Sequence, residues 1–166
     1  GLGFGMFISE TIATGSKGFS LTLSTIVLTV FLGFILTKYL KIDLRLGHLI
    51  TSGTAICGGS AIAAISPAIK ANAKTISVSL AIVFMLNAMA LFIFPVLGYA
   101  FHLSQEQFGI WCAVAIHDTS SVVGAALQYG EEALKIATTV KLTRTLWIIP
   151  MAVFSMFYFK TKNERV

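Results

Sequence analysis

Three ionisable side chains lie deep inside apolar stretches of this sequence: Asp118, Lys141 and Arg144. A charged group at that depth in a bilayer costs about 3 kcal/mol on insertion scales unless it is paired or faces water. Lys141 and Arg144 are spaced to share one helical face, and Asp118 directly follows His117. Together they predict a polar cavity of net positive charge that recognises an anion, with His117 or Asp118 exchanging a proton.

Two structural interpretations of the same charges stay open. Asp118 could pair with Lys141 or Arg144 as a brace between helices, or the two basic side chains could extend to the nearby membrane surface. Neither alternative requires a ligand.

A second polar interruption lies in the apolar stretch 53–67, where Gly58 and Gly59 weaken a continuous helix. A broken helix is tolerated in hydrocarbon only where it is buried in protein or lines a polar cavity. Ser60 stands where it could cap a second half-helix over 61–66, ended by a proline. The free N–H groups of that half-helix would favour an anion at mid-membrane. The alternative is a small-residue face for close helix packing.

The composition defines the class of protein. The 166 residues are 56% hydrophobic and only 11% charged, whereas a soluble domain carries about 25% charged residues. We therefore expect an all-α integral membrane protein, a multi-span transporter core with at least one discontinuous transmembrane helix, and no nucleic-acid partner. The apolar segments predicted from length are a partial one over 1–14 and further ones over 19–37, 48–67, 76–97, 108–127 and 136–159.

No pattern for a cofactor or catalytic site appears. Cys57 and Cys112 lack the spacing of a disulfide framework or a metal site, so we expect neither metal, cofactor nor enzyme activity. Two alternatives stay open: an intramembrane metal-binding or enzymatic protein that uses Cys57, His117 and Asp118, and a non-transporting membrane sensor or assembly subunit.

Weaker signals concern single residues. Asn87, near the middle of a predicted span, is equally consistent with a hydrogen bond between helices and with a ligand contact. His48 and His102 stand at segment ends and are expected at the membrane interface. Ser104 and Gln107 have the spacing of a capping box that starts a helix.

The stretches 55–60 and 115–120 echo each other, with Ala, Ile and Ser matching at equivalent positions. Transporters often contain inverted repeats whose interrupted segments meet at mid-membrane. If both segments cross, the single span between them gives them the same direction, and the inverted partner is expected outside this chain. Whether the glycine-rich segment crosses or is re-entrant stays open, and the positive-inside rule places the loop 38–45 in the cytoplasm either way.

Three motifs follow one another along the chain: GTAICGGSAIAA at 53–64, AIHDTSSVV at 115–123, and KLTR at 141–144 followed by Pro150. In these the chain resembles the YeiH-like family of bacterial inner-membrane proteins, called sulfate exporters, which is related to the cation/proton antiporter and bile-acid symporter superfamily. The resemblance implies a core domain with broken helices that moves against a panel or dimerisation domain. Because members are longer than this chain, residues 1–166 are expected to be one membrane domain of a longer transporter.

The expected function is secondary transport of a small anion, sulfate or organosulfonate-like, across the bacterial inner membrane, with H+ or Na+ as the coupling ion. A homodimer is one open arrangement, and the lipid bilayer is the other expected partner. Coupling is assigned to His117 and Asp118. The residues expected to contact the substrate are Gly58, Gly59, Ser60, Thr119, Ser120, Lys141 and Arg144.

Overall fold

The computed structural model describes the backbone of residues 2–163 and the side chains of residues 20–160, and this part of the chain consists of helices joined by short turns, without strands. The all-α fold is therefore confirmed. The partial segment predicted over 1–14 falls where side chains are not described. The helices are α1 (Leu2–Tyr39), α2 (Leu44–Ala55), α3 (Gly59–Ala68), α4 (Ala73–Ala100), α5 (Gln105–Ala115), α6 (Thr119–Tyr129), α7 (Glu131–Thr145) and α8 (Ile148–Asn163).

Three helical stretches are long and apolar enough to cross a membrane: Ser20–Tyr39 in α1, Ala73–Ala100 in α4, and Glu131–Lys160 across α7 and α8. They correspond to the segments predicted over 19–37, 76–97 and 136–159. The third is interrupted between α7 and α8. Pro150 explains the interruption, because it has no N–H to donate to the carbonyl four residues earlier.

The glycine-rich segment forms a re-entrant hairpin of α2 and α3. Arg45, in the first turn of α2, and Lys70, just beyond α3, line the same cavity, so both arms reach the same end of the bundle. The arms have 12 and 10 residues. At 1.5 Å per residue each extends about 15–18 Å, roughly half of the hydrocarbon core of a bilayer. The segment therefore turns back at mid-membrane.

Helices α5 and α6 form a second hairpin, which enters from the other end. Tyr129, at the end of α6, donates a 2.6 Å hydrogen bond to the Leu103 carbonyl just before α5, and its ring stacks on Phe108 with centroids 3.9 Å apart. The predicted capping box of Ser104 and Gln107 is present and starts α5. The two arms therefore begin and end together.

The sequence predicted apolar segments over 48–67 and 108–127 and left open whether the first crosses or is re-entrant; in the structure each is divided between two short helices. Each is broken at its centre, so neither arm is long enough to reach the opposite face. The expectation that the inverted partner lies outside this chain is wrong. Because α4 crosses the bundle between the two hairpins, they enter from opposite ends, and the echoing stretches 55–60 and 115–120 lie at their tips.

Basic residues are concentrated at one end of the bundle, which we call the basic end: the end with the α1–α2 and α3–α4 connections and the end of α8. Among the side chains that the structure describes, it carries Lys38, Lys41, Arg45, Lys70, Lys74 and Lys160. The opposite end carries Lys135 with Glu106, Glu131 and Glu132. The positive-inside rule predicts that this end, which includes the loop 38–45, faces the cytoplasm.

The prediction that His48 lies at the membrane interface is wrong. Instead of facing the interface it is 2% exposed, and its Nε2 lies 2.8 Å from the Ser155 hydroxyl oxygen. The cause is α8, which packs on the α2–α3 hairpin and covers this side chain, with the Phe159 ring 5.1 Å away. His102 is exposed at the other end, as expected.

Candidate functional site

The tips of the two hairpins meet beside the middle of α4. Gly58, in the first tip, has φ of 64°, a conformation that side-chain-bearing residues rarely adopt. A Cβ atom on Gly58 would lie 3.4 Å from the backbone nitrogen of Asp118 in the second tip and 3.4 Å from Val83 of α4. Glycine is therefore favoured here by the backbone conformation of the turn, whereas a Cβ atom would make only ordinary van der Waals contacts with the second tip.

The first turn of α3 has no oxygen cap from its N-cap residue at this junction, although the Cys57 sulfur hydrogen-bonds with the Ala61 backbone and the Ser60 side chain. The N-cap is Gly58, which offers no side-chain hydrogen bond. The prediction that Ser60 caps a half-helix over 61–66 is thus corrected: α3 begins at Gly59, and Ser60 lies exposed in its first turn. The helix also runs past the predicted stop, because a proline in the last turn removes only one backbone hydrogen bond. The positive end of the α3 dipole is left open at mid-membrane.

The first turn of α6 is closed by contrast. Asp118 is its N-cap, and the Asp118 carboxylate accepts hydrogen bonds from the backbone nitrogen of Ser121 at 3.1 Å and from its hydroxyl at 3.3 Å. Thr119 is half-buried and Ser120 is exposed beside it. The two helix starts therefore differ in their caps: α6 has the Asp118 carboxylate, whereas α3 has Gly58, which offers no side-chain acceptor.

The two buried cations bind backbone carbonyls at the C-terminal ends of α2 and α5. Lys141 is 0% and Arg144 2% exposed. The Lys141 ammonium donates to the Ile116 carbonyl at 2.9 Å. Arg144 donates from Nε to the Ala55 carbonyl at 2.6 Å and from Nη1 to the Val114 carbonyl at 2.9 Å.

These carbonyls belong to the C-terminal ends of α2 and α5, where backbone acceptors lack helical partners and the dipole is negative. The cations thus neutralise both negative poles and fasten both tips to α7. The basic pair does not reach the surface, which one structural interpretation required, and the Asp118 carboxylate caps α6.

Asn87 connects α4 to the second tip. Its side-chain oxygen accepts a 3.0 Å hydrogen bond from the backbone nitrogen of His117. Within the described part of the chain, Asn87 Nδ2 and His117 Nδ1 are buried without a hydrogen-bond partner. Buried polar atoms rarely remain unsatisfied, so these two atoms are candidates to contact a ligand, an ion or water at the tip junction.

The structure brings together most of the residues predicted for the site. Gly58, His117 and Asp118 meet at the tips, and the two cations bind the backbone beside them. Gly59, Ser60, Thr119 and Ser120 occupy the first turns of α3 and α6. Sequence reasoning missed the backbone carbonyls, because acceptors at broken helix ends carry no residue-type signal.

Metal binding has no geometric support in the part of the chain whose side chains are described. No group of three or more His, Cys, Asp or Glu residues there could hold a metal ion. Cys57 and Cys112 are free and buried. Cys57 lies beside Ser60 and the Ala61 backbone in the first turn of α3.

The fold and the site define a multi-pass α-helical membrane protein in which two discontinuous segments meet within the bundle. The chain belongs to the family described as Conserved hypothetical protein 698, whose sequence model matches residues 1–166.

The curated relatives that the chain matches are described as membrane proteins. The chain is 55% identical over its full length to a UPF0324 membrane protein of Photobacterium profundum and 56% identical over its full length to one of Bacteroides thetaiotaomicron, covering 51% of each. It is 57% identical to one of Shewanella oneidensis, over 96% of this chain and 50% of the relative. The chain thus spans about half the length of the curated relatives that it matches. No solved structure matches it.

Proposed function

We propose that this chain forms the substrate-binding core of a secondary transporter that moves a small anion, such as sulfate or an organosulfonate, across the bacterial inner membrane. The observation that carries the proposal is the meeting of two oppositely oriented hairpin tips beside two buried cations. Such half-helices near the bilayer midplane are how many transporters bind substrate and ions.

The electrostatics of the junction favour an anion. Two cations and one carboxylate, Lys141, Arg144 and Asp118, give a net positive charge. The cations also cancel the negative poles of α2 and α5, so the remaining unneutralised pole is the positive N-terminus of α3. An oxyanion would accept hydrogen bonds from the N–H groups of Gly59 and Ser60.

Hydroxyl groups supply further donors of the right kind. Ser60 in α3 and Thr119 and Ser120 in α6 lie in the first turns that follow the two tips. Neutral hydroxyls suit a ligand that must also be released, because binding that is too tight would block transport. In this proposal Lys141 and Arg144 act mainly through their field and by holding the binding backbone in position.

Coupling to H+ or Na+ is assigned to His117 and Asp118. His117 has an unpartnered ring nitrogen, Nδ1, at the junction and could accept a proton. The carboxylate of Asp118 caps α6, so protonation or cation binding there would alter both the local charge and the anchoring of the second tip.

Because the two hairpins enter from opposite ends, they suggest how access to the junction alternates between the two sides of the membrane. The α2–α3 hairpin covers the junction from the basic end and the α5–α6 hairpin covers it from the other, so moving one hairpin at a time would open one route at a time. Transport, not enzymatic chemistry, is the function proposed for this geometry.

Flux in proteoliposomes containing the full-length protein tests the proposal. Labelled sulfate and methanesulfonate would be compared under an imposed pH gradient and under a Na+ gradient. We expect saturable anion flux that is stimulated by one of the two gradients. Absence of flux for every anion tested would overturn the proposal. Anion-dependent thermal stabilisation without flux would instead favour the sensor alternative.

A further inference from the structure

A cavity of about 360 Å³ opens at the basic end, far from the hairpin tips and separate from the proposed transport site. Its lining combines three basic side chains with an apolar floor: Arg45, Lys70 and Lys160 with Ala68, Ile69, Met156 and Phe159. No acidic residue lines it in the described part of the chain. We propose that this cavity binds an anionic phospholipid, with its phosphate on the three cations and its acyl chains along the apolar floor.

The cavity lies at the level in the membrane where lipid headgroups are found. Lys160 ends the membrane-crossing stretch Glu131–Lys160, and Lys70 lies between the end of α3 and the start of α4. Arg45 is in the first turn of α2. All three therefore stand where helices leave the hydrocarbon, at the level of lipid phosphates.

The backbone that carries two of the cations is held in place. Asp43 caps α2 by accepting a 2.9 Å hydrogen bond from the Leu46 nitrogen, which fixes the turn containing Arg45. Lys70 has φ of 50°, and the turn around it is closed by a 3.0 Å bond from the Ala71 nitrogen to the Ser66 carbonyl. A site held in this way loses less entropy when it binds a ligand.

The composition of the lining distinguishes a lipid from a free oxyanion. Basic pockets between helices at the cytoplasmic face bind anionic headgroups, and the basic end is cytoplasmic by its charge. Met156, which is 45% exposed, offers apolar surface beside the charges, which a soluble phosphate would leave unused. An acyl chain would cover it.

Native mass spectrometry of the full-length protein in detergent tests this site, with phosphatidylglycerol and phosphatidylcholine of equal chain length as probes. We expect at least about tenfold tighter binding of phosphatidylglycerol, given the attraction of each Lys or Arg to anionic lipid. Equal binding of the two lipids would overturn the proposal.

The pocket variant Arg45→Gln/Lys70→Gln/Lys160→Gln should lose this preference. The matched control Lys38→Gln/Lys41→Gln/Lys74→Gln removes the same number of charges from the same end, outside the cavity, and should keep it. Equal losses in the two variants would mean a general surface-charge effect and overturn the site. The single variant Lys70→Gln, at an exposed residue, should reduce the preference in the same direction if the pocket variant does not fold.

Glycerol phosphate, which has the phosphate without the acyl chains, separates the two sources of oxyanion. We expect it not to displace phosphatidylglycerol at equal concentration, because it lacks the contact with the apolar floor. Displacement at equal concentration would identify a free-oxyanion site and overturn the lipid assignment. None of these measurements depends on transport.

Discussion

Arg144 and Ala55, 89 positions apart in the chain, are joined by a 2.6 Å hydrogen bond from the guanidinium Nε to the backbone carbonyl. The same guanidinium reaches the Val114 carbonyl. One side chain of α7 therefore holds the ends of α2 and α5 together, although these helices enter the bundle from opposite ends.

Removing this guanidinium should destabilise the protein strongly. Arg144→Gln leaves two buried carbonyls without their donor, and each unsatisfied group costs about 1–3 kcal/mol. Arg144→Lys keeps the charge but not the two-point geometry, so it should fall between wild type and Arg144→Gln. Thermal unfolding in detergent measures the effect, with exposed Lys74→Gln as control. Equal melting temperatures for Arg144→Gln and wild type would contradict the assigned role.

Gly58 and Gly59 should respond differently to the same substitution. Gly58→Ala forces an alanine to adopt φ of 64°, which costs about 1–3 kcal/mol, although its Cβ would make only ordinary contacts with the second tip. Gly59 has no such backbone constraint, and its Cβ would meet the ring edge of Phe84, which is 49% exposed and can move. Melting temperatures of the two variants provide the test. A Gly59→Ala variant as damaged as Gly58→Ala would argue against the tip geometry.

Asp118 has a structural role and a proposed coupling role, which two substitutions can separate. Asp118→Asn keeps a side-chain acceptor for the start of α6 but removes the charge, whereas Asp118→Ala removes the cap as well, at a cost of about 1 kcal/mol. Only the alanine variant should lower the melting temperature, and both should lose gradient-stimulated flux. Wild-type gradient dependence in Asp118→Asn would exclude the coupling role.

The two hairpins predict which side of the membrane each connection between helices faces. Single cysteines replacing Lys41 and Lys70 should react with a membrane-impermeant maleimide from the cytoplasm, and cysteines replacing His102 and Glu131 from the other side. The native Cys57 and Cys112 are buried and should add little background. Labelling of the Lys41 and Lys70 positions from opposite sides would mean that α2–α3 crosses the membrane.

The sequence was a good guide to the class of fold and to several residues of the junction. Apolar length predicted the three spans, and the cost of burying charge pointed to Lys141 and Arg144. It could not distinguish a broken span from a hairpin, because both need about the same number of apolar residues with small residues at the centre. The answer depends on long-range contacts such as the bond from Tyr129 to Leu103.

The sequence predicted the cap at the start of α5 but not the cap at the start of α3. The residue types and spacing of Ser104 and Gln107 predict the start of α5. The start of α3 depends instead on the φ of 64° at Gly58, and the nearby serine suggested a cap two residues too late. The partners of the two cations were hidden for a similar reason, because backbone carbonyls are present at every position.

The most direct test of the central claim, an anion site at the open N-terminus of α3, is sulfate flux by Ser60→Asp compared with Ser60→Asn in proteoliposomes. Ser60 is exposed in the first turn of α3, where a carboxylate stabilises a helix by about 0.3–1 kcal/mol. Because a carboxylate at this depth also costs about 3 kcal/mol unless it is paired or faces water, melting temperatures first establish that Ser60→Asp folds, and the folded variant should repel the anion. The account predicts flux at background in Ser60→Asp and substantial flux in Ser60→Asn; equal flux in both would contradict it.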